Sequence, residues 1–259
     1  MPASPLRVLA LVFALALPVS LAAQEAPRTA TEEGPAGPAR NGLPVAKAFD
    51  FTAETVKDWR PTDTAAWKLT ATEAKTPAGE PVNAYELTVK KSNYEPPVRS
   101  PYNRAIAPVE TLGDFVIELE LKSTSKPYNH RSLCLFFNYE DEANFYYVHF
   151  GQKTDDHANQ IFIVDDKPRT KISTKTTDGT KWDDQWHTAK IVRRVEPGTI
   201  EIYFDDMKTP VMTATDKTFT KGRFGIGSFD DPGMFRNVRL FAKPETVRPA
   251  MDAPAAEGE

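Results

Sequence analysis

Cysteine is almost absent. The single Cys134, in 259 residues, excludes an internal disulfide. It lies in the run SLCLFF and reads as a small buried hydrophobe. No H-x-H, H-E-x-x-H or C-x-x-C spacing occurs, so a metal site of the strong kind is not expected. Basic surplus is missing too: 32 Lys and Arg face 36 Asp and Glu, for a formal net charge of −4. With no basic cluster interleaved with aromatics, nucleic acid is not an expected partner. No window sustains a 3.6-residue apolar period, which predicts few or no helices.

What is present begins with the N-terminus. MPASPLRVLALVFALALPVSLAAQ carries one positive charge, Arg7, then an apolar run from Val8 to Leu17, then a small-residue exit at Leu21-Ala22-Ala23. That layout predicts a secretory signal peptide over 1–23. The run is too short for the roughly 20 residues a spanning helix needs, so no membrane insertion is expected, and the mature chain is expected to be secreted or periplasmic. Losing Arg7 would leave 31 of the 32 basic residues against 36 acidic ones. Residues 24–45, rich in Ala, Pro, Gly and Glu, lack the apolar side chains that offset ordering entropy and read as a disordered leader. Residues 246–259 read as a similar tail. Between them, 46–245 holds all four Trp and is long enough for one sizeable core.

That middle reads as strands. In DFVIELELK, Phe115, Ile117, Leu119 and Leu121 fall on one face, with Glu118, Glu120 and Lys122 on the other. GTIEIYFDD repeats the pattern with Ile200, Ile202 and Phe204. Further strands are expected in AYELTVKK, SLCLFFNY, NFYYVHFG, QIFIVD, RTKIST, WHTAKIVRR, VMTAT, GRFGIGSF and FRNVRLF, punctuated by turns such as Pro197-Gly198 and Pro232-Gly233. Many short strands with hairpin spacing predict an all-β fold, an antiparallel sandwich or barrel. Five acidic pairs, at Asp155, Asp165, Asp183, Asp205 and Asp230 with their successors, fall at turns, which suits Asp. No D-x-D-x-D-G spacing marks a calcium loop. No cofactor is expected, although a structural calcium gathered from distant loops would suit these carboxylates.

Three segments, GDFVIELELK, WDDQWHTAKIVRRVEPGTIEIYFDD and GRFGIGSFDDPGMFRNVRLF, resemble the concanavalin A-like (laminin-G-like) β-sandwich. Their pattern is similar above all to exported bacterial domains grouped with 3-keto-disaccharide hydrolases. The resemblance implies a two-sheet jelly roll with one curved face where glycan lies. It implies fold more than activity, since this sandwich hosts binding modules and enzymes alike.

The hairpin FYYVHFGQKTDDHANQIFIV carries the candidate site. Alternation sends Tyr146, Val148 and Phe150 into the interior and Phe145, Tyr147 and His149 to the opposite surface. Tyr147 and His149 are expected side by side on that sheet surface. Arg131, Gln160, Arg169 and Lys171 should flank them from neighbouring strands, with His157 in the polar loop. Aromatic rings stack on sugar faces while polar and cationic groups orient hydroxyls and carboxylates, so these residues form the candidate carbohydrate-binding set. Two functions follow. As a binding module, the chain would recognise a polysaccharide or oligosaccharide on that face. As an enzyme, a glycoside or 3-keto-disaccharide hydrolase or a polysaccharide lyase, it would use His149 and Tyr147 as base and acid. Glu118 and Glu120 are spaced for paired-carboxylate chemistry, but Lys122 follows where laminarinase-like sandwiches place a third carboxylate; a solvated strand face is the simpler expectation.

Overall fold

A computed structural model describes Met1 and residues 39–250 of the chain. The expected signal peptide, most of the expected leader, and residues 251–259 lie outside the described residues. Seventeen strands run in order: β1 (Val45–Phe49), β2 (Arg60–Pro61), β3 (Trp67–Lys75), β4 (Pro81–Leu87), β5 (Asn103–Thr111) and β6 (Phe115–Ser123); β7 (Ser132–Asp141), β8 (Asn144–Gly151), β9 (Gln160–Asp165), β10 (Thr170–Lys171), β11 (Ser173–Thr176) and β12 (His187–Arg194); then β13 (Thr199–Phe204), β14 (Met212–Thr215), β15 (Gly222–Ser228), β16 (Gly233–Ala242) and β17 (Val247–Pro249). Helical structure among the described residues is limited to three short 3-10 turns.

The strands form two sheets. One is ordered β11-β14-β13-β12-β6-β16-β4-β3, with β1 also paired to β16. The other is ordered β10-β9-β8-β7-β15-β5-β17, with β2 also paired to β5. Every strand pairing is antiparallel. The sheets pack face to face over a shared core, the antiparallel β-sandwich expected from the sequence.

Alternation builds this core. Phe115, Ile117, Leu119 and Leu121 of β6 meet Tyr146, Val148 and Phe150 of β8 and Ile200, Ile202 and Phe204 of β13 in one cluster. Phe115, Ile117, Leu119 and Leu121 are each no more than 2 % exposed. Burying each such side chain is worth about 1.5–3 kcal/mol in transfer free energy. The hairpin β8–β9 forms as expected, with His149 opposite Gln160 and Tyr147 opposite Phe162.

Five strands were not legible as such. β5 (NRAIAPVET) is buried on both faces and interrupted by Pro108, so it shows no alternation. The proline lies where pairing with β15 shifts between Arg223 and Gly225, a break in the ladder that tolerates a missing donor. β3 is an edge strand of alternating small and polar residues. β1, β2 and β17 are too short to show a period. The ends also move: Leu43 is buried and β17 pairs with β5, so the sandwich extends past both expected limits, 46 and 245.

Candidate functional site

The open platform expected at Tyr147 and His149 is closed. Both side chains point away from the main core, as alternation requires, yet Tyr147 is 0 % and His149 4 % exposed. A second apolar cluster occupies this outer face: Ile106, Cys134, Phe136, Tyr139, Phe145, Tyr147, Phe162 and Val164, with Val98 packed on it. The segment 88–102 covers it. Arg104 ties that segment down: its guanidinium donates to the Pro101 and Glu142 carbonyls and to Ser100 Oγ, and lies 4.5 Å from the Phe145 ring centroid.

Both buried candidates take structural partners. Tyr147 stacks on Phe162 at 5.0 Å, and its hydroxyl accepts from Arg169 Nη1 at 2.7 Å. Burial pushes its pKa upward. His149 is held down to about 3 by burial first and by the Arg169 charge second, so the ring is neutral. The His157 carbonyl, 2.9 Å from Nδ1, can only accept, which fixes the proton there. Nε2 is then the acceptor for the Ser132 hydroxyl at 2.6 Å.

That serine leads to the site the sequence reading missed. The Ser132 backbone N–H donates to Asp231 Oδ2 at 2.9 Å. Asp231 is 0 % exposed and also accepts from Ser125 Oγ at 2.6 Å and the Tyr128 hydroxyl at 2.8 Å. A carboxylate buried this deeply persists because it is saturated with donors. Its partner Tyr128 is 43 % exposed. Together with Lys90, Lys126 and Asp230, these residues line a cleft of about 710 Å3.

Local sequence explains the cleft. One wall is the β6–β7 connection, STSKPYNH, whose Pro127 precedes the exposed tyrosine. The other is the turn FDDPG between β15 and β16, where the Asp231 N–H donates to Ser228 Oγ at 2.8 Å. A Cβ at Gly227 would lie 2.0 Å from the Asn103 carbonyl oxygen, so only glycine lets β15 reach β5 here. Asn103 Nδ2 in turn donates to the Lys90 carbonyl at 2.8 Å, which anchors the third wall. Asp230, exposed at the rim, has its pKa raised by desolvation first and by Asp231 second, against the opposing charges of His130, Lys90 and Arg169.

The remaining sequence candidates scatter. Arg169 lies over the Phe162 and Phe229 rings at 4.6 and 4.5 Å, beneath the cleft side of the covered face. Arg131 is buried and donates to the Ser123 carbonyl and to Asp184 Oδ1, both at 2.9 Å. Gln160 donates to the Asp155 carbonyl at 2.8 Å. His157 is an exposed loop residue, and Lys171 pairs with Asp156 at 2.6 Å. His130 pairs with Asp155 at 2.5 Å, tying the cleft loop to the β8–β9 loop. The structure therefore links His149 to the cleft through Ser132 and leaves Arg131 and Lys171 outside its lining. Glu118 and Glu120 are ion-paired, to Arg40 at 2.8 Å and to Arg236 at 2.6 Å. The sequence held one signal for the cleft, the Asp230-Asp231 pair, indistinguishable there from four other acidic pairs. Its distinction is burial: Asp231 is the only buried residue among those ten aspartates. Among the described residues, no group of three or more His, Cys, Asp or Glu is arranged to hold a metal ion. Among them, too, no helix is long and apolar enough to cross a membrane.

No family model matches the chain, and no curated protein matches it. Solved structures do. A carbohydrate binding module, CBM66 from Bacillus subtilis, is similar at 20% identity and a TM-score of 0.45 over 68% of this chain and 96% of its own. A Bacillus subtilis protein of unknown function with a galectin-like fold is similar at 10% identity and a TM-score of 0.49, over 80% and 97%. Domain 4 of AbnA, an extracellular arabinanase from Geobacillus stearothermophilus solved with arabinotriose, is similar at 11% identity and a TM-score of 0.43, over 78% and 95%. These are likenesses of a whole sandwich domain at low identity.

Proposed function

We propose that the chain binds carbohydrate, an oligosaccharide or a polysaccharide segment, in the cleft between the β6–β7 connection and the β15–β16 turn. The observation that carries this reading is Tyr128: a tyrosine ring exposed in a concave site, its hydroxyl held by the fully buried Asp231. An aromatic fixed in this way offers a stacking face at little entropic cost. Asp230, Lys90 and Lys126 around it supply the acceptors and donors that orient hydroxyls. Binding takes place outside the cytoplasm on this proposal, supported by Arg7 and the apolar run Val8 to Leu17.

The enzyme reading has lost its support at the residues first assigned to it. Tyr147 is buried in the cluster on which Val98 packs, His149 is buried with the His157 carbonyl on its Nδ1, and Ser132, which hydrogen-bonds His149, is 0 % exposed. A base must come within hydrogen-bond reach of the proton it removes, and these do not reach the cleft surface.

The test is retention of the purified protein on a panel of insoluble polysaccharides, with reducing ends assayed in the same tubes. Tyr128→Ala is expected to weaken retention at least about tenfold, or about 1.4 kcal/mol. Unchanged retention in that variant, or retention on no polysaccharide of the panel, would reject the proposal.

A further inference from the structure

A second aromatic site lies on the outer face of the nine-stranded sheet, the face that carries Glu120 and Arg236. Three of the four tryptophans, Trp59, Trp67 and Trp182, are buried at 3 %, 7 % and 7 % exposure. Trp186, just before β12, is only partly buried. One face of its indole rests on the Arg236 guanidinium, 4.0 Å from the ring centroid. Arg236 is itself fixed from two other strands of the sheet: Nε donates to Glu120 Oε2 at 2.6 Å and Nη1 to Thr72 Oγ1 at 3.0 Å. Four segments distant in sequence thus converge to hold one indole flat against a polar sheet face.

Arg236 covers one face of the ring, and the side chain keeps part of its surface exposed. Around it the rim is polar and balanced in charge. Glu73 is exposed on β3, within electrostatic reach of Lys122, Arg236 and the Trp186 side chain. Further along the same face Thr70 and Lys68 both contact Glu86. A rigid aromatic face with one carboxylate and one ammonium beside it matches a ring with an apolar side and peripheral hydroxyls, and no net charge. We propose that Trp186, with Glu73 and Lys122 at its rim, forms a second carbohydrate-binding site that stacks a neutral sugar ring. This site shares no residue with the Tyr128 cleft and stands or falls separately from it.

Tryptophan emission reads this site directly, because the other three indoles are shielded. The probes are cellohexaose, laminarihexaose, mannohexaose, xylohexaose and arabinohexaose, titrated into the full chain. A saturable blue shift with at least one of them is expected, and calorimetry with that sugar should give two sites per chain. Trp186→Ala should reduce the two sites to one and leave the cleft site intact, whereas Tyr128→Ala should remove only the other. Glu73→Gln tests the rim without disturbing the Trp186–Arg236 contact: about fivefold weaker binding at one site, with an unchanged melting temperature, is expected. The proposal is overturned if no hexasaccharide shifts the emission, or if Trp186→Ala or Glu73→Gln leaves stoichiometry and affinity unchanged. If Trp186→Ala does not fold, Glu73→Gln decides. A failure of the cleft reading shows separately, as Tyr128→Ala binding like the parent.

Discussion

The two outer faces of the sandwich solve the same problem in opposite ways. On the eight-stranded sheet, Phe136, Phe145, Tyr147 and Phe162 form a second apolar layer roofed by residues 88–102 and clamped by Arg104. On the nine-stranded sheet the corresponding positions include Glu118, Glu120, Lys190 and Arg236, engaged in ion pairs and cation–π contacts. There a smaller apolar group, Leu43, Val116, Val192, Tyr203 and Phe241, occupies only part of the face. Covering a face frees its strands from alternation but takes its centre away from ligands. The recognition proposed above then falls at the margin, in the cleft that Lys90 and Tyr128 line.

The largest expected effect tests the covered face. Phe145→Ala, at 0 % exposure, should cost about 3–5 kcal/mol, read as a fall in the denaturation midpoint. If it costs under 1 kcal/mol, the second layer is not a packed core. On the other face, Glu118→Gln and Glu120→Gln should each cost about 1 kcal/mol or less, since their ion pairs keep some solvent access.

Next is the pH dependence of the buried imidazole. His149 ordinarily titrates near 6.5 and is held at about 3 in the folded chain. Between those values the unfolded chain binds the extra proton and the folded chain does not, so stability falls as pH falls. The His149 contribution approaches about 1.4 kcal/mol per pH unit within that window and vanishes above it. Replacement by Gln, which titrates nowhere, should flatten the slope between pH 6 and pH 4. An unchanged slope would mean that His149 is not buried neutral.

Tyr128→Phe should have the smallest effect on carbohydrate retention. It keeps the stacking ring and removes one donor to Asp231, at about 1–2 kcal/mol of stability. Its carbohydrate retention should stay within about threefold of the parent. A loss as large as that of Tyr128→Ala would make the hydroxyl, not the ring, the recognised group.

The contrast between faces also shows what could be read from the chain alone. Alternation in DFVIELELK and GTIEIYFDD named the inward residues. SLCLFF, FYYVHF and QIFIV are apolar on both faces, the pattern of strands buried on both sides. Taking Tyr147 for a surface residue overlooked that signal: alternation says which way a side chain points, not whether something lies over it. The cover, SNYEPPVRSPY, has no period and few apolar residues, so its destination was not legible. The cleft was hidden for a different reason. Ser125, Tyr128 and Ser132 meet Asp231 across about 100 residues of chain, and no local pattern encodes that meeting.

Amide chemical-shift mapping tests the central claim, that recognition on this side lies at the margin of a closed face. A sugar retained by the protein is titrated into labelled chain while all backbone resonances are followed. The predicted shifts cluster at Ser125 to Tyr128 and Asp230 to Gly233, with β8 and β9 unmoved at Tyr147, His149 and Phe162. Shifts centred on those three residues, with the cleft silent, would contradict it.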